Sequence, residues 1–181
     1  NETDMAYFYE HLDKNIYNML INEYIVLKND KDEFIDVYKW NGKKHVTPYK
    51  KQVNSISFGE KIKAKDEYQS MVIDSIMNNT ITAITGKAGS GKTLLSLVCA
   101  MSLIDSGKYD KLVIMFNPTK VKGSTDLGFY PGDFLEKAMQ SFIGQVLITK
   151  FGDRCAVDML IEQEKIKLVS MADARGVEIK D

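Results

Sequence analysis

Residues 86–93 read Gly-Lys-Ala-Gly-Ser-Gly-Lys-Thr, a complete GxxxxGK[ST] pattern. An apolar β-prone run precedes it, Ile81-Thr82-Ala83-Ile84-Thr85, and a helical pattern follows from about Lys92 to Ser106. Strand, glycine-rich turn and helix in that order make a cradle for phosphate. No structural demand alone places Lys and Thr directly after the last glycine. Gly86, Gly89 and Gly91 let the backbone turn with its N–H groups toward an anion. The helix N-terminus adds positive potential. Lys92 is expected to bridge β- and γ-phosphates, and the Thr93 hydroxyl to ligate Mg²⁺. Lys87, Ala88, Ser90 and Leu94 complete the loop, contributing backbone more than side chain.

The rest of the chain reads as α/β. Residues 23–27 and 34–40 read as strands around a turn cluster at 29–32, and Asn41-Gly42 is a hairpin signal before 43–46. Such a meander is too small to stand alone and must pack on the domain after it. A short helix is placed at about 12–20. Asp66 is expected to cap a helix bearing Tyr68, Met71, Val72, Ile73 and Ile76, ended by Asn78-Asn79. Gly107 fits the stop of the helix after the loop. Residues 111–116 read as a strand buried on both faces, and 119–132 as a loop. Helices are expected at about 133–149 and 154–164, then a strand at 166–170. Alternation of this kind implies a parallel sheet.

A chain of 181 residues with 44% hydrophobic and 27% charged content suits one ordinary domain with a small appendage. The net charge of −1 gives no global pull toward nucleic acid or membrane. Lys43-Lys44 and Lys50-Lys51 read as a solvated hairpin edge. Cys99 reads as a small core residue. His11 and His45 read as ordinary surface histidines, without partners at metal-ligand spacing. With no signal-like or membrane-length apolar run, the chain reads as cytoplasmic. It begins at Asn1 rather than Met, as a fragment or processed product would.

Gln69 lies on the helix before the loop. Its amide can donate to and accept from an adenine edge, which would select ATP over GTP; a solvent-exposed helix Gln reads equally well.

Together these residues resemble the PhoH family of P-loop ATPases, relatives of superfamily-one helicases, over about residues 58–181. The resemblance rests on Ile62-Lys63 with Gln69, where the family carries a Gln motif, and on the 86–93 loop. It rests also on Pro118, Gly123 and the run Leu127-Gly128-Phe129-Tyr130-Pro131-Gly132-Asp133 with Glu136-Lys137, similar to the family's "LG[FY]LPGD" and "EK". The last block is Arg175-Gly176. The resemblance implies a P-loop NTPase fold with a RecA/helicase-like parallel sheet in 58–181, preceded by a β-rich segment, 1–57. The 20–50 part of that segment resembles the connector to a PIN nuclease domain in longer relatives. Also implied are ATP and Mg²⁺ as cofactors, RNA or other single-stranded nucleic acid as partner, and a ring-shaped homo-oligomer. Arg175 is a candidate γ-phosphate or intersubunit sensor, or a loop arginine paired with a local carboxylate.

Three features depart from the family pattern. Asn117 stands where the family usually has Arg. The 119–127 loop is one residue longer than usual. The Walker B strand, whose carboxylates hold Mg²⁺ and orient water, is expected just past Asp181. The chain therefore reads as the N-terminal part of an ATPase, itself poorly active. Two other functions share the loop: a small-molecule kinase, and a nucleotide-gated interaction module without catalysis.

Overall fold

The computed structural model describes residues 2–48, 52–116 and 134–171. The chain divides into two units, residues 1–54 with 61–99, and residues 55–60 with 100–181.

The first unit starts with helix α1 (Glu2–Glu10), not with the helix expected at 12–20, where turns run instead. The apolar and aromatic residues that favour burial, Phe8 above all, lie on α1. Strands β1 (Tyr24–Lys28), β2 (Phe34–Trp40) and β3 (His45–Val46) follow as an antiparallel sheet in the order β1-β2-β3. The register sets Val26 opposite Val37, and Trp40 opposite His45. Asn41 builds the β2–β3 turn: its side-chain oxygen accepts from the Lys43 and Lys44 N–H groups, both at 2.9 Å. Gly42 takes φ +93° there. Lys43 and Lys44 are exposed, as expected of a solvated edge.

His45 is not at the surface. Alternation along β3 turns it inward, where it is 3% exposed, with the Phe8 ring at 4.9 Å and the Trp40 ring at 4.8 Å. Burial lowers its pKa, so it sits in the aromatic core as a neutral ring. Phe8 also meets Tyr38 edge-on at 5.4 Å, so α1 closes the apolar face that a small meander cannot bury alone.

A short two-stranded sheet, β4 (Gln52–Ser55) with β5 (Glu60–Lys63), comes next. Neither strand was expected. The signal was a polar alternation with only Val53 and Ser55 buried, too short to stand out. Helix α2 (Glu67–Asn78) begins at Asp66, whose carboxylate accepts from the Gln69 N–H, and ends at Asn79, as expected. Ile73 is fully buried. Helix α3 (Lys92–Asp105) passes from the first unit into the second and buries Leu95, Val98, Cys99 and Met101. Gly107, at φ +71°, stops it: the Lys108 N–H returns to the Leu103 carbonyl at 2.9 Å.

In the second unit, β6 (Leu112–Phe116) and β7 (Ile166–Ser170) pair in parallel, Leu112 opposite Ile166 through Phe116 opposite Ser170. The expected parallel arrangement is present in this pair. β6 is only half-buried, with Met115 43% exposed, rather than covered on both faces; no further strand flanks the pair among the described residues. The connection contains α4 (Phe134–Gln140), α5 (Phe142–Phe151) and α6 (Arg154–Glu162). The single helix expected at 133–149 is thus broken in two. Ser141 turns extended and caps α5, accepting from the Gly144 N–H, while its hydroxyl donates to the Ala138 carbonyl. Gly144 then lies so close to α4 that a Cβ there would collide with the Ala138 oxygen and Met139 Cα. Gly152 at φ +94° ends α5, and Asp153 caps α6.

The run at 127–133, Asn117, Pro118 and Arg175 lie outside the described residues, as do the 119–132 loop and the segment after 171.

Candidate nucleotide site

The β-prone run 81–85 forms no strand. Exposure alternates along it, with Ile81 87% exposed. A strand exists only where a neighbour takes its N–H and C=O groups, and among the described residues none does. The loop and helix parts of the expected unit are present.

Gly86, Gly89 and Gly91 have φ of +151°, +80° and +87°. Such values are open to glycine and strained for other residues. The second and third turn the chain through Ser90 into α3. The first bond of α3 runs from the Leu95 N–H to the Gly91 carbonyl at 2.9 Å. The N–H groups of Lys92, Thr93 and Leu94 therefore lie in the first turn, where helix geometry offers no acceptor within the helix. Together with the positive end of the helix dipole, these donors suit an anion.

Lys92 lies across this loop. Its ammonium donates to the Gly86 carbonyl at 2.9 Å and to the Lys87 carbonyl at 2.8 Å. The cation is thus held over the loop's own backbone by neutral acceptors. A phosphate oxygen would offer a stronger, charge-assisted bond at the same place. Thr93 is exposed. Lys87, Ala88 and Ser90 are exposed, and Leu94 is half-buried.

Beside the loop is a cleft of about 260 Å³, near the low end of small-molecule sites. Tyr68, Val72, Ile84 and Leu95 supply its apolar lining, and Asp66, Gln69, Ser90 and Lys92 its polar lining. Gln69, expected on the helix before the loop, is on α2 and borders this cleft. Its side-chain oxygen accepts from the Lys65 N–H at 2.9 Å, and its amide nitrogen donates to the Ser90 carbonyl at 3.1 Å. The structure therefore brings Gln69 together with Ser90 and Gly91, and the cleft it lines also includes Gly86 and Lys92. Tyr68, 64% exposed on the cleft lining, was read from the sequence only as an apolar helix residue. Its position next to Gln69 was the available signal.

No helix among the described residues is long and apolar enough to cross a membrane.

The family model for PhoH-like proteins matches residues 61–181. A PhoH-like protein of Synechocystis is 30% identical over 120 residues, which cover 65% of this chain and 36% of the relative. A PhoH-like protein of Bacillus subtilis is 27% identical over 139 residues, 74% of this chain and 41% of its own. Protein PhoH2 of Mycolicibacterium smegmatis is 24% identical over 124 residues, 66% and 28% respectively. The chain therefore spans between 28% and 41% of the length of these curated relatives. No solved structure matches it.

Proposed function

Because the chain belongs to the PhoH-like family of P-loop NTPases, we propose that residues 86–93 bind ATP with Mg²⁺. We propose further that the whole protein hydrolyses the ATP to do work on RNA or other single-stranded nucleic acid. One observation carries the nucleotide part. The Lys92 ammonium is held over the Gly86 and Lys87 carbonyls, at the start of a helix whose first N–H groups have no helical acceptor.

In this reading the loop N–H groups wrap the β-phosphate, and Lys92 exchanges carbonyl partners for phosphate oxygens. Thr93 would hold Mg²⁺, which would supply positive charge to the bound phosphates. The exposed Thr93 and the open space beside Gly89 fit that role. Arg175 is proposed as the γ-phosphate or intersubunit sensor. The same reading includes a RecA/helicase-like sheet in 58–181, supported by the parallel β6–β7 pair. It includes a β-rich connector at 1–57, ring assembly and a cytoplasmic location.

The test is phosphate release from ATP by the full-length native protein, with and without single-stranded RNA. The expected result is hydrolysis that RNA changes and Lys92→Ala abolishes. Hydrolysis unaffected by RNA would remove the nucleic-acid part. Hydrolysis unaffected by Lys92→Ala would remove the loop from the reaction.

A further inference from the structure

The β4–β5 ribbon leads directly to the nucleotide cleft. After β5 the chain passes Ala64 and Lys65 to Asp66, which caps α2 and lines the cleft. The Lys65 N–H donates to the Gln69 side-chain oxygen at 2.9 Å. The end of the ribbon is thus tied to the helix beside the phosphate loop.

Side chains along a strand alternate between two faces. Burial follows that alternation and runs on past the end of β5. Val53 and Ala64 are buried, while Gln52, Asn54, Lys61, Lys63 and Lys65 are exposed. The outward face therefore carries three ammonium groups and two amides, with no carboxylate among its described residues. Lys28 and Lys39 each pair with an aspartate, at Asp32 and Asp74. The side chains of Lys61, Lys63 and Lys65 make no ion pair among the described residues.

A rise of about 3.3 Å per residue sets successive lysines of this row about 7 Å apart. That is close to the step between phosphates of an extended single strand. Cations in a row with no local anion attract a polyanion, and the neutral amides beside them can donate to the same oxygens. The net charge of −1 makes this attraction local rather than global.

We propose that the outward face of β4–β5 is a track for the phosphodiester backbone of single-stranded RNA, with Lys61, Lys63 and Lys65 each meeting one phosphate. This rests on the reading of the protein as an ATPase that works on RNA, and it places the RNA beside the nucleotide. Contacts to phosphate carry no sequence information, so the track takes any base sequence.

The test is fluorescence anisotropy of a labelled single-stranded uridine oligonucleotide, titrated with the full-length native protein over a range of salt. Wild type should bind with an affinity that falls as salt rises. Lys61→Gln combined with Lys63→Gln should weaken binding by roughly 10-fold at low salt and lower the salt slope by about 1.4, at about 0.7 per phosphate contact. Lys43→Gln combined with Lys44→Gln removes the same charge from the exposed β2–β3 turn. It should leave the slope unchanged and the affinity within about twofold, because salt screens charges away from the track. Lys61→Gln alone should lower the slope by half as much as the pair, which keeps the test if the pair fails to fold. An unchanged slope in the 61/63 variant overturns the track and leaves the RNA reading standing. Equal losses from the two pairs overturn it as well, since they would report net charge rather than place. A wild type that binds no RNA overturns the RNA part of the proposed function, and the track with it.

Discussion

Lys39 on β2 donates to the Asp74 carboxylate on α2 at 2.6 Å, joining the meander to the helix that carries Gln69. Both side chains are buried, at 9% and 4% exposure. The same carboxylate oxygen accepts from the Tyr24 hydroxyl at 2.5 Å, and its other oxygen from the Asn78 amide at 3.0 Å. Burial, then the Asp74 bond and charge, push the Tyr24 phenol well above its ordinary range, so it stays a donor. The meander was expected to pack on the domain after it. These bonds join it to α2 within one unit.

Replacing Lys39 by Met removes the ammonium from the buried Asp74 carboxylate. Breaking one side of a buried pair costs about 3 kcal/mol. Urea unfolding should show that loss in midpoint. A loss under about 1 kcal/mol, the scale of an exposed pair, would contradict it.

Asp105 supplies a pH-dependent prediction. Its carboxylate accepts from the Ser55 hydroxyl at 2.6 Å, the Ser57 hydroxyl at 2.6 Å and the Ser57 N–H at 3.2 Å. Burial pushes its pKa up, but these bonds and the Ile56 N–H outweigh burial and hold it below the usual carboxylate value. The unfolded carboxyl protonates first as pH falls, so the stabilisation is complete above about pH 4 and is lost as pH drops through the lower folded value. Asp105→Asn should cost about 2 kcal/mol at pH 7, from weakened hydrogen bonds to a charged acceptor. The gap between variant and wild type should shrink toward pH 3. A gap that stays constant in denaturation midpoints at the two pH values would contradict the assignment.

Gly144→Ala should destabilise strongly. The new methyl collides with backbone atoms of Ala138 and Met139, which cannot move aside as a side chain could. A cost of about 3 kcal/mol or more is expected, read as a lower melting temperature. Melting within experimental error of wild type would mean the α4–α5 corner is not packed as described.

The two thiols should differ in reactivity. Cys99 is fully buried in α3, and burial pushes its thiol up to about 12, while Cys155 is exposed. At pH 8 a thiol reagent should modify one cysteine per native chain and both after denaturation. Cys155→Ser should reduce the native count to none. Rapid labelling of Cys99 in the native Cys155→Ser chain would contradict the packing of α3.

Local signals carried the loop, α2, α3 and the meander. Glycine at 86, 89 and 91, Asp66 as cap, Gly107 as stop and Asn41-Gly42 as turn each act over a few residues, so neighbours in sequence sufficed. Most of the misses depended on packing or pairing that the local sequence does not display. His45 was read as surface because its aromatic enclosure comes from Phe8 and Trp40. Residues 81–85 have strand composition, but pairing decides whether a strand forms. The break at Ser141 is local, yet a serine inside an apolar helical pattern reads as a tolerated substitution until Gly144 is seen against Ala138. At the site, the sequence put Gln69 on the helix before the loop but could not show which atoms its amide would hold. It showed Tyr68 only as part of a helix face.

The central claim, that residues 86–93 hold a nucleoside triphosphate, is tested most directly by titrating the chain with MgATP and repeating the titration with Lys92→Ala. Removing one charge-assisted contact to phosphate should weaken binding by roughly 10- to 100-fold, with the melting temperature of the free protein little changed. Equal affinity for wild type and variant would contradict the account.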